Sequence, residues 1–333
     1  MPTNIGSRGH FANARDAIRG NPMTAGLVAT LVMLYCNIMF APRRALLASP
    51  ALLLPRLASA QARPVVVASF SILGDMVRQL AGDAVELRVL AGPETDAHLF
   101  QPRPSEARAI EGAALVIRNG IGFEPWLDRL LRSTNYRGAL VTASDGITLR
   151  PAESGHNHGS DPHAWQDVRL ARAYAAGIAR GLGAILPAAA VRAGEYDARL
   201  AALDDWVVGE IGRVPPERRV VVTSHDAFGY FAARYGVRML APQGVAPNAQ
   251  PSAAQVAALI RQLRAERVSA VFIEGLGSQA VMERLARDAG VTVRGRLYAD
   301  TLSPPGGPAP SYEAMMRHNL GLLVPAMLGA TAP

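Results

Sequence analysis

The chain has 333 residues, half of them hydrophobic and 18% charged, with a formal net charge of +7; that is apolar material for one large or two ordinary domains and too much for a disordered chain. The positive charge does not point to nucleic acid, because Arg8, Arg15, Arg19, Arg43, Arg44 and Arg56 stand against Asp16 alone before residue 61, and the remainder is close to neutral with no arginine run interleaved with aromatics. The single cysteine, Cys36, lies in that same early segment, which leaves the rest of the chain without a thiol for a disulfide or a cysteine-based zinc site.

Residues 1–62 are expected to be an address rather than part of the fold. TAGLVATLVMLYCNIMFA is apolar, APRR follows, then ALLASPALLLPRL and the small residues ASAQA, the parts of a secretory signal. The best-formed version begins at Met39, with MFAPRR as its basic region, ALLASPALLLPRL as its apolar region and cleavage near Ala60 or Ala62. The competing reading is a membrane anchor around residues 25–41, which at about 18 residues is just long enough to span a bilayer.

From residue 64 strands and helices alternate. PVVVASF predicts a strand, ILGDMVRQLAG a helix, VELRVL a strand, PSEARAIEGA a helix, ALVIRNG a strand, FEPWLDRLLRS a helix and GALVTAS a strand. The stretch from about Val168 to Ile211 carries no strand signal. Pro187 divides it, and PAAAVRAGEYDARLAALDDWVVGEI reads as one continuous helix with Leu200, Leu203, Val207 and Ile211 at helical spacing. A helix of about 25 residues spans about 38 Å. The second half repeats the scheme, with RRVVVTS, VRMLA, SAVFIEG and VTVRGRLYA as strands and DAFGYFAARYG, PSAAQVAALIRQLRAERV, SQAVMERLARDAG and SYEAMMRHNLGLLVPAML as helices. Short apolar strands alternating with helices indicate βαβ units. The expected fold class is therefore α/β: two Rossmann-like lobes with mainly parallel sheets, residues 63–186 and 214–333, joined by one long rigid helix over 187–213.

Seven histidines are present. His10 goes with the leader, and His318 sits in the last helix, where a helix-face or capping role suffices. His98 follows the strand VELRVL, His163 follows GALVTAS and its polar loop, and His225 follows RRVVVTS. Parallel α/β sheets bind ligands beyond the carboxyl ends of their strands, because helices cover both faces and leave that edge open. One histidine at such a place is ordinarily structural; three, two in one lobe and one in the other, point to something shared. Asp300 in RLYADTLS holds the equivalent position after the last strand. Three imidazoles and one carboxylate suit a tetrahedral Zn²⁺. Imidazole also serves Mn²⁺, Fe²⁺ and Cu²⁺, but manganese sites lean towards more carboxylate oxygen, so the third histidine favours zinc.

Three neighbouring features have structural readings. Glu274, ending VFIEG, is either an acceptor that orients a ligand imidazole or the partner of a nearby arginine. Asp161 and Asp226 are read as helix caps. Trp165, Phe228 and Tyr230 are read as apolar packing that excludes water from the site.

GPETDAHLFQPRPSEA, DPHAWQDV, TSHDAFGYFAARYG, AVFIEGLGS and LYADTLS, in that order, resemble the metal-binding solute-binding proteins of ABC importers for zinc and manganese, and the likeness runs over the chain from about residue 64. The resemblance implies two α/β lobes joined by a rigid helix with the metal between them, and it puts His98, His163, His225 and Asp300 on the family's four ligand positions. The third of these separates the branches: zinc binders carry His there and manganese binders typically Glu, so His225 implies zinc. His156 and His158, with Glu153, fall where zinc-binding members carry a His- and acid-rich loop that passes metal inward; in a loop this short an incidental polar segment is the competing reading.

The expected function is capture: one Zn²⁺ per chain, held outside the cytoplasmic membrane by a protein that works as a monomer and is handed to an ABC permease. A secreted zinc hydrolase is the rival class. Catalytic zinc keeps one position open for water and a general base nearby, whereas four protein ligands leave no open position and no HExxH occurs. A stand-alone periplasmic metal chaperone is the third reading.

Overall fold

A computed structural model describes residues 62–329 except 153–158, 243, 245–251, 266–267, 269 and 275–278. The leader, and the loop with Glu153, His156 and His158, lie outside the described residues. The elements follow in chain order: β1 (Val65–Phe70), α1 (Ser71–Ala81), β2 (Glu86–Ala91), α2 (Pro104–Glu111), β3 (Leu115–Arg118), α3 (Pro125–Ser133), β4 (Ala139–Thr142), α4 (Val168–Gly183) and α5 (Ala193–Gly212). The second half holds β5 (Val220–Val222), α6 (Gly229–Tyr235), β6 (Arg238–Leu240), α7 (Ala253–Ala265), β7 (Ala270–Glu274), α8 (Gln279–Ala289), β8 (Thr292–Leu297) and α9 (Tyr312–Leu328).

Two four-stranded sheets result, ordered β2-β1-β3-β4 and β6-β5-β7-β8, and every pairing is parallel. A parallel strand needs a crossover and ends with helices over both faces, which is why β1 is a run of valines buried along nearly its whole length. The order reverses at β1–β3 and again at β5–β7, and each reversal opens a crevice at the carboxyl edge. Two α/β lobes with parallel sheets are thus present, as the alternation of strand and helix implies.

The stretch expected to form one helix from Pro187 divides instead. A 3₁₀ turn covers Ala188–Ala190, Val191 is extended (φ −105°, ψ 112°), and α5 runs for 20 residues, about 30 Å. The break has a physical cause: the Arg192 N–H donates to the Leu80 carbonyl at 2.9 Å, so the chain is caught on the end of α1 before it can coil. Asp226 does not cap α6. That helix starts at Gly229 with Phe228 at the capping position, while the Asp226 N–H donates to the Gly244 carbonyl at 3.3 Å.

The larger core joins Val66, Phe70, Leu73, Trp165 and Tyr174 to Phe231, Tyr235, Tyr298, Tyr312 and Met315 of the second half. A smaller, separate core of Val222, Leu259, Leu263, Val271, Met282 and Leu285 lies under α7 and α8. Polar ties reinforce the junction. Trp165 Nε1 and Gln166 Nε2 donate to the Ala299 carbonyl at 2.9 and 3.0 Å, the Leu302 N–H donates to Ser71 Oγ at 2.9 Å, and the Tyr312 N–H donates to Asp75 Oδ2 at 2.8 Å. Arg296 pairs with Glu94 at 2.6 Å. Among the described residues no helix is long and apolar enough to cross a membrane.

Candidate metal centre

His98 lies in the loop after β2. The exposed Asp96 carboxylate accepts its backbone N–H at 2.8 Å and that of Leu99 at 3.2 Å, a local turn in which the side chain replaces a backbone acceptor. Trp126 Nε1 donates to the Ala97 carbonyl at 2.7 Å, and the His98 ring meets Phe123 edge-on at 4.4 Å.

His163 is fully buried. Asp161, also buried, accepts both its backbone N–H at 2.9 Å and Nδ1 at 2.7 Å. The reading of Asp161 as a helix cap is therefore corrected: its donors belong to the His163 residue itself, and the first α-helix beyond, α4, is capped by Asp167, which accepts the Arg169 N–H. The peptide before His163 is fixed by Asn119 Nδ2, which donates to the Pro162 carbonyl at 2.9 Å, while Tyr174 donates to Asn119 Oδ1 at 2.8 Å. Asn119 rests in turn on Glu124, a buried carboxylate that accepts the N–H groups of Asn119 and Gly120 and the Ser69 hydroxyl. Burial pushes Glu124 up to about 7 against those hydrogen bonds, which favour its charged form.

His225 follows β5. Its Nδ1 lies 2.5 Å from Glu274 Oε2, and the other Glu274 oxygen accepts the Ser224 N–H at 3.0 Å. Glu274 thus faces the His225 imidazole. A carboxylate can only accept, so Nδ1 of His163 and of His225 carries a proton, and Nε2 is the atom that each ring turns inward. Trp165 packs 5.4 Å from the His163 ring and Phe228 is buried; Tyr230 accepts the Arg150 N–H at 2.9 Å. His318 lies outside the cluster and donates through Nε2 to the Arg296 carbonyl at 2.9 Å.

Asp300 follows β8 and completes the group. His98 Nε2 is 3.2 Å from His163 Nε2 and 3.6 Å from Asp300 Oδ2. His163 Nε2 is 3.4 Å from Asp300 Oδ1, and His225 Nε2 is 3.0 Å from Asp300 Oδ2. All four donors lie within 4.8 Å of one another. A tetrahedral ion with bonds of about 2.0–2.1 Å would space its donors about 3.3–3.4 Å apart, close to these separations. His225 Nε2 and Asp300 Oδ1 are buried without a hydrogen-bond partner among the described residues, a cost that a bound cation would remove.

The electrostatics match. Burial lowers His98 below the usual imidazole range against the pull of Asp300. Burial also works to lower His225, but the Glu274 and Asp300 carboxylates outweigh it and hold that imidazole well above the usual range. Burial works to raise Asp300, and His225 and His163 override it, keeping the carboxylate well below its ordinary value.

The family model described as "Zinc-uptake complex component A periplasmic" matches residues 66–326. The chain belongs to this family. Its members are metal-binding solute-binding proteins of ABC importers rather than enzymes. The zinc-uptake family relatives include a manganese-binding lipoprotein MntA from Halalkalibacterium halodurans, 30% identical over 78% of this chain and 87% of that protein. The zinc-binding protein TroA from Treponema pallidum is 29% identical over 81% of this chain and 91% of its own, and its solved structure superposes with a TM-score of 0.76, covering 81% of this chain and 100% of that one. An iron-binding protein YfeA from Yersinia pestis is 31% identical over 75% and 82% of the two chains. The metals named for these relatives differ, so family membership alone leaves the choice of metal open.

Sequence reasoning missed Asp161 as the support of His163. The signal was available in DPH, where Asp two residues before His with Pro between favours a side-chain-to-backbone turn. Glu124 had no such signal, because its partners Ser69 and Asn119 come from other elements.

Proposed function

We propose that this chain captures one Zn²⁺ outside the cytoplasmic membrane through His98, His163, His225 and Asp300 and passes it to an ABC permease. The observation that supports zinc is the donor set itself: three inward-facing Nε2 atoms and one carboxylate, all within 4.8 Å of one another, a ligand set that suits a tetrahedral ion. Four protein donors leave no open position for a reacting water, which supports capture over catalysis. On this reading residues 1–62 direct export, 63–186 and 214–333 form the lobes of a monomer, and α5 is the stiff part of the connector. Manganese is the second reading, favoured by the similarity to MntA and opposed by the scarcity of carboxylate oxygen among the donors.

The test is metal content by elemental mass spectrometry on exported protein without a His tag, beside His225→Ala and His225→Glu. One zinc per chain, lost in the alanine variant and exchanged for manganese in the glutamate variant, is the expected result. Manganese or iron in the wild type would overturn the zinc assignment, and no metal after reloading would overturn the site.

A further inference from the structure

The turn after β3 is left-handed. Gly120, Ile121 and Gly122 take φ values of 88°, 54° and 72° in succession, and among the described residues no other three consecutive positions do so. Gly120 has a second reason to be glycine, since a Cβ there would come within 2.5 Å of the Thr142 side chain. Ile121 has no such freedom. It is β-branched, and left-handed angles crowd its Cβ against the following carbonyl. Strain of that kind persists only where the surroundings over-determine it, and it gathers at binding sites.

What holds the turn is Glu124. Its buried carboxylate accepts the Asn119 N–H at 2.5 Å, the Gly120 N–H at 3.2 Å and, from β1, the Ser69 hydroxyl at 3.0 Å. Pro125 follows and keeps Glu124 out of the helical region, at φ −122° and ψ 69°. Both sides of the turn then lead to the metal centre. Asn119 donates through Nδ2 to the Pro162 carbonyl at 2.9 Å, which fixes the peptide that delivers His163. Phe123 is fully buried, and its ring centre lies 4.4 Å from that of His98 and 5.9 Å from that of His163. Glu124 thus reaches two of the four metal donors through its neighbours on the turn.

We propose that Glu124 is a positioning residue for metal binding: it holds the Asn119–Gly122 turn in its left-handed form, and the turn presets His163 and the Phe123 wall before the ion arrives. The proposal deepens the zinc-capture reading and rests on it. A site ordered in advance loses none of its binding free energy to arranging its own donors. Without the carboxylate, two backbone N–H groups lose their acceptor. Ile121 then relaxes towards the right-handed angles that its side chain favours, and Asn119 and Phe123 move with it.

The experiment measures Zn²⁺ affinity by competition with a chromophoric chelator, beside urea midpoints of the metal-free proteins. The variants are Glu124→Gln, Ser69→Ala, Ile121→Gly, and Ile121→Gly combined with Glu124→Gln. Glu124→Gln keeps the side chain's shape but turns an amide NH₂ towards a backbone donor; it is expected to weaken zinc about tenfold, the lower end of the loss for a group behind a ligand. Ser69→Ala removes one hydroxyl donor, leaves the turn's own sequence intact and should weaken zinc less, in the same direction. The combined variant should recover much of the affinity lost in Glu124→Gln, because glycine adopts left-handed angles about as readily as right-handed ones and needs less holding. A carboxylate that merely stabilised the fold would change the urea midpoint and leave the affinity of the folded protein as it was. Wild-type affinity in Glu124→Gln, or no recovery in the combined variant, would overturn the proposal and leave zinc capture intact. Should Glu124→Gln not fold, wild-type affinity in Ser69→Ala would overturn it. A wild type that binds no zinc would instead defeat the reading beneath it.

Discussion

His225 stands between two carboxylates, Glu274 at Nδ1 and Asp300 at Nε2, and in the metal-free protein it is held protonated above the usual imidazole range. On the proposed ligation a metal ion must displace that proton, so proton and metal compete. The sign follows: a raised pKa means that affinity begins to fall, as pH is lowered, at a pH higher than an ordinary imidazole near 6.5 would impose. Zinc titrations by calorimetry at pH 7, in buffers of different ionisation enthalpy, should show about one proton released per ion, most of it lost in Glu274→Gln. Buffer-independent heats would show that His225 is already neutral. At this scale the four donors are legible in the sequence, because each follows a strand that the apolar runs reveal. Asp161 and Glu274 are legible only in part: their neighbours along the chain are visible, but which atom they face is set by folding.

The connector shows what an element gains from its surroundings. α5 alone is an amphipathic helix with Leu200, Leu203, Val207 and Ile211 buried. Its buried Asp204 does more, accepting Arg234 at 2.6 Å and the Tyr235 hydroxyl at 2.8 Å, both from α6, the helix that follows the His225 loop. The same arginine lies 3.9 Å from Asp167, the cap of α4. Removing Asp204 would leave a half-buried guanidinium facing one distant carboxylate. Asp204→Ala is therefore expected to destabilise the fold by about 2–3 kcal/mol, read as a lower midpoint in urea with an unchanged slope. A cost below about 0.5 kcal/mol would mean that solvent replaces the pair as it does at exposed sites. The periodicity of α5 announces a helix, yet not its start: the turn at Val191 exists because the Arg192 N–H meets Leu80, a contact more than a hundred residues apart.

Across the whole molecule the lobes share one core and a line of hydrogen bonds. The segment that carries Asp300 is tied to the first lobe by Trp165, Gln166, Ser71 and Glu94, so two sheets that differ in sequence position are one body at the site. Wide opening would break these ties together. The radius of gyration from X-ray scattering should accordingly stay the same, within error, between metal-free and zinc-loaded protein. A clear contraction on loading would show a hinge that these contacts forbid. Among the described residues, the core under α7 and α8 is a separate, smaller cluster, so opening there would leave the larger core intact.

What the sequence by itself determined is the order of elements, the fold class and the places where chemistry gathers. Those follow from local physics: apolar runs of strand length, helical spacing, and histidines standing just past strand ends. What only the tertiary structure decided is how those places meet. The four residues come from positions 98 to 300, and nothing along the chain brings their ligand atoms within 4.8 Å of one another. The crevice of each sheet, the packing of Trp165 and Tyr312 into a common core, and the carboxylates behind two of the three imidazoles set them together. A donor's type is written in one residue, whereas its direction depends on everything packed behind it.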